Sequence, residues 1–132
     1  MNVRELIERY NGAWNAQDLD TIHALHHRDI VFHNHTADEK AEGADAVREH
    51  IAAIFRNNPD LQFSTRSLSV GDDFAVCEWT ARARGVEWDG VDVFLLGVAG
   101  TGLADLSRVT NDGLIARKDV YSASHRPREP KD

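Results

Sequence analysis

Four residues of this chain are of types and in places that could do chemistry: Tyr10, Asn34, Asp92 and Asp119. Asp92 lies inside "GVDVFLL", between Val91 and Val93. A carboxylate buried among apolar side chains has its pKa raised, because desolvation disfavours the charged form, and a carboxylic acid so held can donate to a developing oxyanion. The alternative is a side chain facing solvent on an edge strand. Asp119, in "RKDVY", shares a strand face with Arg117 and Tyr121. It is either a general acid/base or half of a surface ion pair with Arg117. Tyr10 falls on an apolar helix stripe, as a donor aimed into a pocket or as a core aromatic with its hydroxyl satisfied. Asn34 ends the apolar strand "DIVFHN". Asparagine is depleted in strands and favoured in turns, so Asn34 either closes the strand or holds a water or substrate.

The histidines raise metal binding. His23 and His27 are spaced to share a helix face, and His33 and His35 to share a strand face opposite Asn34. Zinc wants three or four ligands, and no "HExxH" or paired-cysteine motif completes either pair, so no metal and no cofactor is expected. His26 reads as a core histidine. "GVAGTG", Gly97 to Gly102, has the wrong spacing for a dinucleotide loop.

These residues need elements to position them. Val3, Leu6, Ile7, Tyr10 and Trp14 recur at helical spacing. Asp18 suits the N-cap of a short second helix carrying Leu19, Ile22 and Leu25. The strand of "DIVFHN" follows, then a polar loop, "ADEKAEGAD". Ala46, Val47, His50, Ile51, Ile54 and Phe55 trace a third helix, which "NNPD" stops. From Leu61 the period falls towards two. "LQFSTRSLSV" alternates with a face switch between Phe63 and Leu68, which predicts a bulge. "FAVCEWTARA", "VDVFLL" and "LIARKDVYSA" are further strands, with a turn at Asn111–Gly113. The tail, residues 125–132, has no apolar content and is expected to be disordered. Helices set apart from a mostly antiparallel sheet make an α+β domain, taken as residues 1–124.

The 132 residues suit one core, with 42% hydrophobic and 28% charged. A formal net charge of −7 disfavours nucleic acid and anionic membrane as partners. Cys77 is the single cysteine, so no intrachain disulfide forms. "MNVRELIERY" is charged and helix-patterned, unlike a signal peptide, and no apolar run matches a bilayer, so the expected location is the cytoplasm.

On the stretches "ERYNGAWNAQDLDTIHAL", "VFHN", "EGADAVREHI", "GVDVF" and "DGLIARKDVY", the chain resembles the nuclear transport factor two-like superfamily. That superfamily includes ketosteroid isomerase, limonene epoxide hydrolase and the SnoaL-like polyketide cyclases. The resemblance implies a cone-shaped, curved, mostly antiparallel sheet packed against three N-terminal helices. This is a cystatin-like α+β roll enclosing an apolar pocket, with homodimerisation through the outer sheet face. It places the isomerase's oxyanion-binding tyrosine and aspartic acid on Tyr10 and Asp92, and its carboxylate base on Asn34. The epoxide hydrolase's asparagine also falls on Asn34 and its aspartate on Asp119. Its tyrosine falls on Phe32 and its arginine on Gly90. The cyclases share the last-strand aspartate. Residues 97–108 look like an insertion relative to that pattern.

Taken with the resemblance, the residues predict a general acid/base enzyme of the isomerase, cyclase or hydrolase kind. Its substrate would be a small, hydrophobic, oxygen-bearing molecule. Asp119 moves the proton, Asn34 helps, Tyr10 and Asp92 hold an oxyanion, and Trp14, Phe32, Trp79, Trp88 and Tyr121 supply substrate contacts. The rivals are a ligand-binding module without a base, and a protein-interaction module of the same fold.

Overall fold

The computed structural model describes residues 2–97 and 114–123. The expected turn at Asn111–Gly113, the insertion over 97–108 apart from Gly97, and the tail 125–132 lie outside the described residues.

Among the described residues, three helices and six strands run in the order α1 (Val3–Ala16), α2 (Leu19–Leu25), β1 (His26–Asn34), β2 (Glu39–Glu42), α3 (Ala44–Asn57), β3 (Gln62–Val70), β4 (Phe74–Ala83), β5 (Val86–Leu96) and β6 (Ile115–Ser122). Helix α1 starts in a capping box: the Asn2 side chain accepts from the Glu5 amide and the Glu5 carboxylate accepts from the Asn2 amide. Its apolar stripe, Val3, Leu6, Ile7, Tyr10, Ala13 and Trp14, is buried. Asp18 caps α2 through the Thr21 amide. Helix α3 buries Val47, Ile51 and Phe55 and ends at Asn57, two residues before Pro59.

The strands form one open mixed sheet in the order β2-β1-β6-β5-β4-β3. Only β1 and β6 run parallel; the other neighbours are antiparallel. The bulge expected in β3 lies between Thr65 and Ser67. Strand β2 lies inside the segment read as a polar loop. Its sequence, Glu-Lys-Ala-Glu, is almost wholly exposed, as suits a charged edge strand that resists pairing with another chain.

The helices cover one face of the sheet. On that face β1 presents Ile30 and Phe32, β4 presents Ala75, Cys77, Trp79 and Ala81, β5 presents Asp92, Phe94 and Leu96, and β6 presents Lys118 and Val120. Aromatic rings knit the helices to the sheet. Trp14 meets Phe55 at 5.2 Å and Phe63 at 5.8 Å, both edge to face, and Tyr10 meets Phe94 at 5.6 Å.

Gly90 is paired across the sheet with Trp79. A Cβ at Gly90 would run into Cη2 and Cζ2 of the Trp79 ring, so glycine there gives the indole its place. The position that the epoxide hydrolase resemblance leaves without an arginine is thus occupied by another residue's side chain. Gly90→Ala is expected to destabilise the chain by about 1–3 kcal/mol through overpacking, read as a lower urea midpoint with unchanged slope.

Candidate active site

A cavity of about 340 Å³ lies between the curved sheet and the helices. Its walls are largely apolar: Trp14, Phe32, Ile54, Phe63, Trp79, Trp88 and Val120. Asn34, Asp92 and Lys118 are the polar groups set into them, with Glu39, Asn58, Arg84 and Ser122 also on the lining. A few convergent polar groups in an apolar pocket are the usual form of a small-molecule site.

Asp92 and Lys118 are the centre of its electrostatics. Asp92 is 6% exposed and Lys118 4%, and Lys118 Nζ lies 3.7 Å from Asp92 Oδ2. They come from adjacent antiparallel strands, with Phe94 opposite Lys118 and Val120 opposite Asp92. The ammonium is also ringed by π-faces, at 4.1 Å from the Trp14 centroid, 4.9 Å from Tyr10, 5.3 Å from Phe32 and 5.6 Å from Phe94. Burial pushes the Asp92 carboxyl up, against the opposing pull of the Lys118 charge. Burial likewise pushes the Lys118 amine down, against the pull of Asp92. The two shifts draw the acid and the amine towards each other, each favouring the uncharged form that burial favours. The Trp79 indole N–H approaches Asp92 without closing a hydrogen bond.

Asn34 lines the cavity, and its Oδ1 accepts from the Ala37 amide at 3.0 Å. It therefore closes the turn after β1 and leaves Nδ2 as the atom to offer a ligand. Trp14, Phe32, Trp79 and Trp88 also stand on the lining.

Three other residues stand elsewhere. Tyr10 is fully buried in the core and is not on the cavity lining. Its hydroxyl pairs with His26 Nε2 at 2.9 Å, and burial raises its pKa far above the ordinary value. Asp119 and Tyr121 point from the opposite face of the sheet, because side chains alternate along β6 and Lys118 and Val120 take the inner positions. Tyr121 is 43% exposed and stacks on His35 at 4.4 Å. The Asp119 carboxylate is held by Arg117 Nε at 2.8 Å, Arg117 Nη2 at 3.0 Å and His35 Nε2 at 2.7 Å. Partial burial works to raise its pKa, but the bonds from Arg117 and His35 outweigh it and hold it below the usual carboxylate range. A carboxylate fixed as an ion on the outer face is not placed to move a proton in the cavity.

The same outer face brings His33, His35 and Asp119 together, with one ligand atom from each within 4.8 Å of the others. Asp119 is thus a third potential ligand that the spacing of His33 and His35 alone does not reveal. Arg117 engages both Asp119 oxygens and His35 Nε2 one of them, while His33 stacks on the His35 ring at 3.7 Å.

Lys118 is the site residue that sequence reasoning missed. The motif "RKDVY" drew attention to its aspartate. The readable signal was alternation: Ala116, Lys118 and Val120 share one face. Ile115 and Tyr121, apolar on the other parity, hid it.

His26 is core, as expected, at 3% exposed. Burial first, then the Lys118 and His23 charges, lower its pKa to about 3. Below its ordinary value near 6.5 the unfolded chain takes up a proton that the folded chain refuses, so stability falls with falling pH until about pH 3. Between pH 6 and pH 4 the loss is about 2 kcal/mol. Urea titrations of the parent and of His26→Gln, which cannot titrate, are expected to diverge by that amount over that interval.

These features define a class: an α+β roll whose curved sheet and helices enclose an apolar cavity with an acid–amine pair on its wall. Residues 7–117 match the model of the SnoaL-like domain, and the chain belongs to that family. No curated protein matches it. Solved structures share the fold. One is a candidate ketosteroid isomerase from Kribbella flavida, 16% identical, covering 97% of this chain and 82% of that one with a TM-score of 0.72. Another is the epoxide hydrolase/cyclase-like enzyme SalBIII of pyran ring formation in salinomycin, 19% identical, covering 91% and 89% with a TM-score of 0.72. A third is a SnoaL-like protein of unknown function from Burkholderia thailandensis, 19% identical, covering 92% and 94% with a TM-score of 0.71. Among the described residues no helix is long and apolar enough to cross a membrane.

Proposed function

We propose that this protein is a general acid/base enzyme acting on a small hydrophobic molecule that carries a carbonyl group, with Asp92 and Lys118 as the proton-transferring pair. The observation that carries the reading is the placement of that pair, 3.7 Å apart, on the wall of an aromatic cavity. A buried carboxyl whose pKa is raised is, when ionised, a stronger base than an exposed one. The Lys118 ammonium faces the place where enolate charge would develop, in a setting where electrostatic stabilisation is strong. Asn34 Nδ2 is a further donor. The ketosteroid isomerase name of one structural relative agrees with proton transfer beside a carbonyl.

The test is exchange of α-protons. A compact cyclic ketone such as 2-tetralone, followed by NMR in D2O, is expected to exchange faster with the folded chain than in buffer, with saturation in ketone. An unchanged rate in a chain that binds the ketone would leave a binding module rather than an enzyme.

The reading includes a homodimer formed through the outer sheet face. Its support is the exposure of Phe74, Leu95 and Tyr121 there. Light scattering should give twice the chain mass, and Leu95→Lys should halve it.

A further inference from the structure

We propose that Lys118 is also a covalent group: its amine condenses with the carbonyl of an aldehyde or ketone in the cavity to form an imine. This rests on the reading of the cavity as a carbonyl-substrate site and deepens it.

The geometry is the warrant. Among the described residues Lys118 is the only lysine on the cavity lining. The chain has two others, Lys40 and Lys131. Lys118 Nζ stands 3.7 Å from Asp92 Oδ2, so the carboxylate is the neighbouring base to which the ammonium can give up the proton that occupies its lone pair. The four rings around it supply an apolar shell. A lysine desolvated in such a pocket is the activated form of this nucleophile, and the downward pKa shift of Lys118 agrees. Asp92 is within reach to handle the protons that imine formation moves.

The step balances. The neutral amine adds to the carbonyl carbon; a C–N bond forms, the C=O π bond breaks, and the oxygen takes a proton from the Asp92 carboxylic acid. The Asp92 carboxylate then removes one proton from nitrogen, giving a neutral carbinolamine. Asp92 returns that proton to the hydroxyl, the C–O bond breaks, and water leaves. The product is a protonated imine beside the Asp92 carboxylate. The cavity ends with one positive and one negative charge, as an ammonium–carboxylate pair would have. The protonated imine makes the neighbouring C–H more acidic than the ketone does, which serves the proposed proton transfer. Hydrolysis by water reverses the sequence, so no oxidant or reductant is needed.

The test incubates the full chain with 2-naphthaldehyde at pH 7, reduces any imine with sodium cyanoborohydride, and maps the adducts by peptide mass. Tryptophan fluorescence on the unreduced mixture reports occupancy. The expected result is a naphthylmethyl adduct on Lys118 exceeding that on exposed Lys40 by roughly tenfold or more, lost when 2-naphthol competes and lost in a folded Lys118→Arg chain. If that variant does not fold, the competition arm carries the same information. Saturable quenching without a Lys118 adduct, or with Lys40 modified equally, overturns the covalent role and leaves the site standing. No quenching by aldehyde or naphthol overturns the cavity reading itself.

Discussion

Asp92→Asn is expected to slow ketone α-proton exchange by about a hundred- to ten-thousand-fold, the usual worth of a positioned general acid or base. The substitution keeps the size and shape of the side chain and removes its proton chemistry. It also leaves the buried Lys118 ammonium without its counter-charge, so the single variant is less stable than the parent. The double variant Asp92→Asn, Lys118→Met carries no unpaired buried charge and separates the two effects. It should lose exchange at least as fully, since both members of the pair are gone, while unfolding close to the parent's urea midpoint. An Asp119→Asn variant is the internal contrast. Its carboxylate lies on the outer face in the grip of Arg117 and His35, and its loss should leave the exchange rate within about twofold of the parent. Exchange that survives Asp92→Asn and disappears with Asp119→Asn would invert the assignment.

Lys118→Met is expected to destabilise the chain by about 3–5 kcal/mol at neutral pH, the typical result of removing one partner of a buried ion pair. Methionine fills much the same volume, so the effect belongs to the charge left on Asp92. The pH dependence follows from direction. Lys118 is the opposite charge that restrains the rise of the Asp92 pKa, so without it that pKa climbs further. A carboxyl whose folded pKa lies above its unfolded value binds a proton more tightly when folded. The stability this gives is present at low pH and lost as pH rises from the ordinary carboxylate value through the folded pKa. The gap between parent and variant should therefore be small near pH 4 and widen towards pH 8. Replacing both members, as in Asp92→Leu, Lys118→Met, should restore stability or raise it by about 1–4 kcal/mol. Urea unfolding of the three chains at two pH values measures all of this.

The fold was legible in the sequence where burial imposes a clear period. The stripe Val3, Leu6, Ile7, Tyr10, Trp14 became one buried helix face, and Ala75, Cys77, Trp79, Ala81 one buried strand face. Strand β2 was not legible, since an exposed edge of Glu, Lys, Ala and Glu has no apolar pattern to read. The site was legible in part. Asp92 stood out because a carboxylate between valines needs a reason, and Asn34 because an amide at a strand end does. The face of β6 was the harder problem. A one-residue difference in register reverses every side chain. Apolar residues occur on both parities of that strand, so nothing local chose between Lys118 and Asp119. The partner strands decide: Phe94, on the inner face of β5, stands opposite Lys118. Tyr10 shows another limit. Its place on the helix stripe was readable, but its partner, His26, comes from the first residue of β1, and only the packing of α1 on that strand brings them within 2.9 Å.

The central claim is that the space between helices and sheet is a ligand site with the Asp92–Lys118 pair on its wall. All three tryptophans of the chain, Trp14, Trp79 and Trp88, line that space, so their emission reports on it directly. The most direct test is a fluorescence titration of the folded chain with 2-naphthol, whose ionised form resembles an enolate. The account predicts saturable quenching at one naphthol per chain, with the bound naphthol's absorbance shifted towards the naphtholate by Lys118. Emission that stays unchanged, or falls linearly without saturation while the chain remains folded, would contradict it.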